Sequence, residues 1–223
     1  MIVLHLVGKI LGGQPSLCIL DIGGGVGPTL KKLEEMGVAF GVDISPEAIG
    51  YCRDRGCRRL CLVEEERLPF GDNSFDLVIS IDILEHMDCE YRHLREYQRV
   101  LKKGGFLLIT VPALSWLWSN HDRANRHRRR YSRSGLRNLL DKEGWKIERL
   151  SYFCTLLFPL IMAIRLISKM VTRITGDYDL AWNFKIPGFG LNNLFRRIFS
   201  WESAWLTKRN FPIGSSLLGI CWK

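Results

Sequence analysis

The sequence predicts an α/β fold in which helices cover both faces of a mostly parallel sheet. Apolar runs of strand length alternate with runs of helix length from "LCILDIG" to "FLLITVP". Each predicted strand is almost continuously apolar, as expected of strands that are buried on both faces. A glycine-rich turn, "GGGVG", connects the first predicted strand to the first predicted helix. Together, these three observations predict a single sheet with a helical layer on each side.

The predicted elements follow one another with short connections. Strands are predicted at "LCILDIG", "VAFGVDIS", "RRLCLVE", "FDLVISID", "FLLITVP", "KIERLSY" and "SSLLGICWK". Helices are predicted at "PTLKKLEEMG", "PEAIGYCRDRG", "YRHLREYQRVLKKGG" and "GLRNLLDKEGW". Pro46 suits the first turn of its helix, and glycines end the first and third helices. The sequence therefore predicts seven strands.

Composition and charge restrict the classes of protein to consider. The chain has 223 residues, of which 47% are hydrophobic, so we expect one folded domain with room for an insertion. Residues 1–110 carry 13 Lys/Arg and 16 Asp/Glu, whereas residues 111–223 carry 19 and 7, so the second half should meet an anionic partner. The cysteines are isolated and the chain start lacks the features of a secretory signal, which predicts a reduced, cytoplasmic setting. Because histidines and cysteines do not occur at zinc-site spacing, we expect no metal.

The glycine-rich turn carries an acid ahead of its glycines, in the pattern Asp21-x-Gly23-x-Gly25-x-Gly27. Glycine permits the tight turn and lets a ligand approach the backbone. The spacing differs from the G-x-G-x-x-G of dinucleotide-binding folds. Asp21 should repel a pyrophosphate and attract an ammonium group, although a dinucleotide site or a simple packing turn stays open at this point. Asp43 ends the second strand, where a carboxylate can accept hydrogen bonds from ribose hydroxyls.

This pattern, with "EEERLPFGDNSFDLVISIDILEHM" and "RVLKKGGFLLITVP", resembles the class I S-adenosylmethionine (SAM) dependent methyltransferases, in particular type 11-like bacterial enzymes, over residues 17–150. The resemblance implies their Rossmann-like, seven-stranded fold, SAM as cofactor and S-adenosylhomocysteine as product. The cofactor-binding residues that it implies are Asp21, Gly23, Gly25, Gly27, Asp43, Ile44, Glu64, Glu65 and Asp82. Glu64 stands where the family usually has an Asp that bonds the adenine amino group. Asp82 has a second interpretation as the cap of the next helix.

The stretch after the fifth strand, "VPALSWLWSNHDRANRHRRRYSRSGL", is basic and rich in histidine. Its arginines are either a solvated run paired with carboxylates or a phosphate-recognition site. The stretch is also similar to bacterial methyltransferases of surface-glycan and lipid-linked sugar pathways, which implies that its residues lie on the substrate side. We predict catalytic candidates at His121, His127 and Tyr131, and substrate-binding candidates at His86, Asp122, Arg129 and Arg130. For His86, a structural bond to a loop is the alternative.

An insertion is predicted between the last two strands, which the family usually joins by a short connection. The predicted division is a core at residues 1–152, an insertion at 153–213 and a final strand at 214–223. Two amphipathic helices bordered by cations and Trp suit the surface of an anionic membrane, and thus a peripheral location on the inner membrane face. A helical lid or a dimer contact is the alternative. The only candidate for a membrane-spanning helix in the insertion is the apolar run "FCTLLFPLIMAI". It is too short to span a bilayer, and Arg165 follows it directly.

These features predict a SAM-dependent methyltransferase that acts on a small, lipid-linked or glycan-precursor acceptor. Quinone-ring methylation is an alternative, because those enzymes share the "LPF…FDLV…RVLKKGG" pattern. A SAM-binding protein without turnover is another. Nucleic acid is disfavoured, since "DILEH" stands where amino-methylating nucleic-acid enzymes place an Asn/Asp-Pro-Pro-aromatic tetrad. The short stretch before the first strand predicts that part of the usual substrate cover is missing.

Overall fold

A computed structural model describes residues 2–10, 17–63, 67–175 and 189–223. Its sheet has seven strands in the order β3-β2-β1-β4-β5-β7-β6. The strands are β1 Leu17–Ile22, β2 Gly37–Asp43, β3 Leu60–Leu62, β4 Phe75–Ile81, β5 Leu101–Pro112, β6 Lys146–Phe153 and β7 Ser216–Trp222. Strand β7 is antiparallel to β5 and β6, and the other neighbouring pairs are parallel. The predicted fold class is confirmed.

Helices pack on both faces of this sheet. They are α1 Ile2–Ile10, α2 Pro28–Leu33, α3 Pro46–Asp54, α4 Glu90–Val100, α5 Asn120–Ala124, α6 Arg133–Lys142, α7 Phe158–Thr175 and α8 Phe189–Leu206. Side chains of α4 and α6 bury one face, and those of α1, α2, α3 and α8 bury the other. The alternation of strand side chains explains the division, since Leu20 and Ile19 of β1 enter opposite layers. Within the described ranges, every helix is too short or too polar to cross a membrane.

The end of α4 and the presence of α1 differ from the sequence prediction. The third predicted helix was expected to continue to the glycines at residue 105, but α4 ends at Val100 and β5 begins at Leu101. Leu101 pairs with Phe75 of β4, and a register shift follows before Leu77 pairs with Phe106. Burial of Leu101 against β4 outweighs the helix propensity of the lysines that follow it. Helix α1 was not predicted, although the run "IVLHLVGKI" buries Leu6 and Val7 against the sheet.

The helices of the insertion pack against the domain. In α8, Leu206 and Glu202 are buried, and Glu202 Oε1 accepts a hydrogen bond from the backbone nitrogen of Thr155 at 2.9 Å. In α7, two cations contact the domain: Arg165 Nη1 donates to Asp122 Oδ2 at 2.8 Å, and the exposed Lys169 donates from Nζ to the carbonyl of Trp116 at 2.7 Å. Residues 176–188 of the predicted insertion lie outside the described residues.

Candidate cofactor and acceptor site

The glycine loop connects β1 to α2 at the carboxyl end of the sheet. Gly23 and Gly25 have φ values of 68° and 52°, in the left-handed region that favours glycine. A Cβ on Gly23 would lie 2.0 Å from Ile83 Cδ1, so close packing excludes any side chain there. A Cβ on Gly25 would meet nothing within 4 Å. The backbone at Gly25 therefore faces open space that a ligand can occupy.

Asp21 is the buried acid at the end of β1. Its Oδ2 atom has no hydrogen-bond partner among the residues that the structure describes. Burial, with a smaller contribution from Asp43, raises the pKa of this carboxyl to about 7. A buried carboxylate oxygen without a partner is costly, so this site favours a ligand that supplies a cationic donor. The amino group of SAM is such a donor, and Asp21 thus fits the predicted cofactor.

Asp43 holds a fixed position at the end of β2. Its Oδ2 accepts from the backbone nitrogen of Gly25 at 3.2 Å, and its Oδ1 accepts from that of Ser45 at 2.9 Å. These bonds join β2 to the glycine loop and leave lone pairs for further donors, as ribose hydroxyls require. Ile44 follows and is exposed. The predicted contacts Glu64 and Glu65 lie outside the described residues.

A cavity of about 460 Å³ lies beyond the carboxyl ends of β4, β5 and β6. Helices α1 and α8 form part of its wall. Lining residues include Leu4, Asp82, Thr110, Phe153, Arg196 and Phe199. The wall is therefore largely apolar, with an acid on the sheet side and a cation on α8.

Asp82 links this cavity to the glycine loop, because its neighbour Ile83 is the residue that packs against Gly23. Thr110 Oγ1 donates to Asp82 Oδ1 at 3.0 Å, and the Asp82 backbone nitrogen donates to the Thr110 carbonyl at 3.0 Å. Asp82 has a φ of 50°, a strained conformation that proteins tend to keep at functional positions. Burial raises the pKa of its carboxyl, although the bond from Thr110 opposes this.

Asp122, one of the predicted substrate-binding residues, is the centre of a buried ionic network. Its carboxylate accepts from Arg130 Nε at 2.8 Å, Arg165 Nη1 at 2.8 Å and the backbone nitrogen of Ser119 at 2.9 Å. His127 Nδ1 lies 3.1 Å from the same carboxylate. Burial disfavours ionisation of Asp122, but the two guanidinium groups outweigh burial, and the net effect lowers its pKa. This network connects α5, the loop after it and α7.

The other predicted acceptor-side residues also have partners inside the domain. Arg129 Nη1 pairs with Glu90 at 2.5 Å, and Arg128 pairs with Asp88. The Tyr131 hydroxyl donates to Glu90 Oε1 at 3.0 Å, and burial raises the pKa of Tyr131. Arg128, Arg129 and Arg130 are thus each paired with a carboxylate, as expected if the arginine run has a structural role. Phosphate recognition by Arg129 and Arg130, and catalysis by Tyr131, stay predictions.

Three predicted histidines lie near one another, although His86 is 35 residues or more from the other two in sequence. The ring centroids of His86 and His127 are 4.9 Å apart, and those of His121 and His127 are 6.4 Å apart. Glu85, which was not among the predicted site residues, is fully buried beside them. In the sequence, only its position directly before His86 in "DILEH" could have indicated that Glu85 is a site residue.

Comparison with known proteins identifies the core. A family model described as "Methyltransferase domain" matches residues 20–109. These residues belong to the class I SAM-dependent methyltransferase family. The match includes Asp21, the glycine loop, Asp43 and Asp82, and it ends before the basic stretch that follows β5. An S-adenosylmethionine dependent methyltransferase from Mesorhizobium loti has the same fold, with a TM-score of 0.62 and 16% identity over 98% of each chain.

Curated relatives match only part of this chain. A protein named "Probable tRNA methyltransferase 9B" from Bos taurus is 34% identical over 117 residues, which cover 51% of this chain and 24% of that protein. The "Ubiquinone/menaquinone biosynthesis C-methyltransferase UbiE" from Cupriavidus necator is 32% identical over 114 residues, which cover 47% of each. The chain thus spans about a quarter to a half of the length of these relatives.

Proposed function

We propose that this protein transfers the methyl group of SAM to a small acceptor that has an apolar part and an anionic group. The observation that carries the proposal is the cavity beside the glycine loop, with Phe153 and Phe199 for an apolar group and Arg196 for an anion. Ligand sites in open α/β sheets lie at the carboxyl ends of the strands, where this cavity is found.

The residues of the chain have separable roles in this proposal. Asp21 pairs with the amino group of the cofactor, and Asp43 accepts from its ribose hydroxyls. SAM supplies a methyl group that is activated by the attached sulfonium. Helices α1 and α8 exclude water and hold the acceptor in line. Asp82, on the cavity wall and with a raised pKa, takes up the proton that the acceptor loses.

The cavity favours one class of acceptor over two alternatives. A phosphorylated lipid or lipid-linked sugar offers both an apolar part and an anion that an arginine can bind. A quinone ring, the acceptor type in the name of one relative, lacks the anion. A tRNA, the acceptor type in the name of the other, is too large for a cavity of about 460 Å³ unless a single base enters it.

An assay with radiolabelled methyl-SAM and a bacterial lipid extract tests the proposed acceptor. We expect label in the acidic lipid fraction. Arg196→Ala should raise the KM for the acceptor roughly tenfold or more, because it removes a charge-assisted hydrogen bond. Arg137→Ala is the matched control, since Arg137 is an exposed arginine of α6 that does not line the cavity. Asp43→Ala should abolish labelling.

The outcomes separate the alternatives. Label in a neutral quinone fraction or in added tRNA would replace the proposed acceptor but keep methyl transfer. SAM binding with no label in any fraction would favour a SAM-binding protein without turnover. Equal labelling by wild type and Asp43→Ala would contradict the assigned cofactor site.

We also propose that α7 and α8 lie at the surface of an anionic membrane. Arg165 and Lys169 bond to the domain from one side of α7, and on the other, apolar side Leu160, Ile167 and Met170 are 51%, 55% and 64% exposed. On α8, Leu194 and Trp201 are each 51% exposed, and Arg197 is exposed between them. Exposed apolar side chains next to Trp and cations are typical of interfacial helices.

Flotation with vesicles that contain phosphatidylglycerol tests this location. The double variant Ile167→Glu/Met170→Glu should float at least about tenfold less than wild type, because two apolar contacts become anionic. The matched control is Tyr51→Glu/Leu62→Glu, which changes two exposed apolar residues near the opposite edge of the sheet. Equal loss in both variants would indicate a general charge effect, and unchanged flotation of the α7 variant at low salt would contradict the membrane contact.

A further inference from the structure

A cluster of metal-ligating side chains lies beside the acceptor side of the domain. Glu85 and His86 belong to the short 3-10 turn after β4, and His127 lies in the loop after α5. One ligand atom from each of the three lies within 4.8 Å of the others. A backbone hydrogen bond of 3.0 Å from Arg128 to the Glu85 carbonyl connects the two segments.

The buried carboxyl group of Glu85 has no hydrogen-bond partner among the described residues. It is 0% exposed, and neither of its carboxyl oxygens has a hydrogen-bond partner within the described part of the chain. The nearest candidate is His127 Nε2, at 3.9 Å from Oε1, which is too long for a hydrogen bond. Leaving both oxygens of a buried carboxyl unpaired is unfavourable, so this group calls for a bound partner.

His127 is oriented by a partner outside the cluster. His127 Nδ1 lies 3.1 Å from Asp122 Oδ1. A ring nitrogen that donates to such an acceptor leaves the other nitrogen with its lone pair free. Metal-bound histidines in proteins have this arrangement almost without exception.

We propose that Glu85, His86 and His127 form a binding site for a divalent transition metal ion, with Zn²⁺ as the occupant that suits the ligands. Two imidazoles and one carboxylate are a frequent zinc ligand set, with a fourth position for water. Neighbouring ligands of a tetrahedral zinc ion lie roughly 3.3 Å apart, so binding draws the side chains inward from the separations in this structure.

The site would connect two parts of the acceptor side that the sequence separates. The 3-10 turn continues from Asp82 on the cavity wall, and His127 belongs to the Asp122 network that holds α7. An ion at this place positions the loop after α5 relative to the end of β4. It is a different site from that of the cofactor, and its presence does not depend on methyl transfer.

The test uses the untagged full chain, treated with a chelator and titrated with ZnCl₂ by calorimetry. We expect one zinc ion per chain and a higher unfolding temperature in its presence. Glu85→Gln and His86→Gln keep similar side-chain volumes while removing a ligand, and each should abolish this binding. His5→Gln is the matched control, because it removes an exposed histidine of α1.

A second measurement does not depend on the variants. Co²⁺ added to the chelator-treated wild-type protein should give the visible absorption of a four-coordinate ion without a thiolate charge-transfer band. A thiolate band would assign the ion to the cysteines and overturn the proposal. Failure to bind one equivalent of either ion, or zinc binding that survives in both ligand variants, would also overturn it.

Discussion

Replacing Asp122 with asparagine is expected to lower the free energy of unfolding by about 3–5 kcal/mol at pH 7. The substitution keeps the size of the side chain and removes the charge that pairs with Arg130 and Arg165. The Arg130 side chain is only 2% exposed, so its guanidinium would remain buried without a compensating anion. Burying an unpaired charge costs much more than an exposed ion pair contributes.

Urea denaturation of the Asp122→Asn variant measures this effect, and Asp88→Asn is the matched control. Asp88 pairs with Arg128 at the surface, where its side chain is 68% exposed, so the control should lose at most about 1 kcal/mol. Limited proteolysis adds a local readout, because Asp122 holds Arg165 of α7. Earlier cleavage within α7 in the Asp122→Asn variant is expected. Equal losses of stability in both variants would contradict the role of Asp122 as the centre of the network.

The cofactor side was predictable from the sequence because its signals are local. Asp21 lies at the end of one buried strand, the glycines follow it, and Asp43 ends the next strand; parallel strands end at one edge of a sheet. Asp21, Gly25 and Asp43 therefore come together in any sheet with this order. The structure adds what spacing cannot give, namely that Asp21 has an unpaired buried oxygen and that Gly25 faces open space.

The surroundings of the predicted acceptor-side residues could be predicted only in part, because their contacts join residues that are far apart in the chain. The histidines and Asp122 were recognised as residue types that suit a site. Their partner Arg165 lies 43 residues beyond Asp122, in a helix whose cations were expected at a membrane surface. The direction in which an amphipathic helix turns depends on such tertiary contacts and not on its own periodicity.

The dependence on contacts between distant residues also explains why the α1 side of the cavity and Glu85 were not predicted. The start of the chain has helical periodicity, but only the packing of α1 on the sheet places Leu4 at the cavity. Glu85 and His86 are adjacent, and His127 follows 41 residues later, a spacing outside the familiar zinc patterns. A three-residue turn after β4 brings them together, and propensities do not predict such a turn.

Asp21→Asn is expected to change stability and cofactor binding in opposite directions. The pKa of Asp21 is raised by burial to about 7, against 3.8 for an unperturbed Asp. Because the folded state binds the proton more tightly, ionisation of Asp21 destabilises the fold as the pH rises from about 4 to 7, and the penalty is complete above pH 7. The shift corresponds to about 4 kcal/mol. Asparagine cannot ionise, so the variant should be more stable than wild type at pH 8.

Urea denaturation at pH 8 and pH 4.5 tests the sign of this effect, with Asp54→Asn on the exposed surface of α3 as the matched control. The gain from Asp21→Asn should be largest at pH 8 and small at pH 4.5, where the wild-type carboxyl is already protonated in the folded state. Calorimetric titration with SAM should show binding weakened at least about a hundredfold, because the charge that pairs with the amino group is lost. A gain that is the same at both pH values would mean that burial of the charge is not its cause. Wild-type affinity for SAM in this variant would mean that Asp21 is a structural acid, and the cofactor would then depend on Asp43 and the glycine loop.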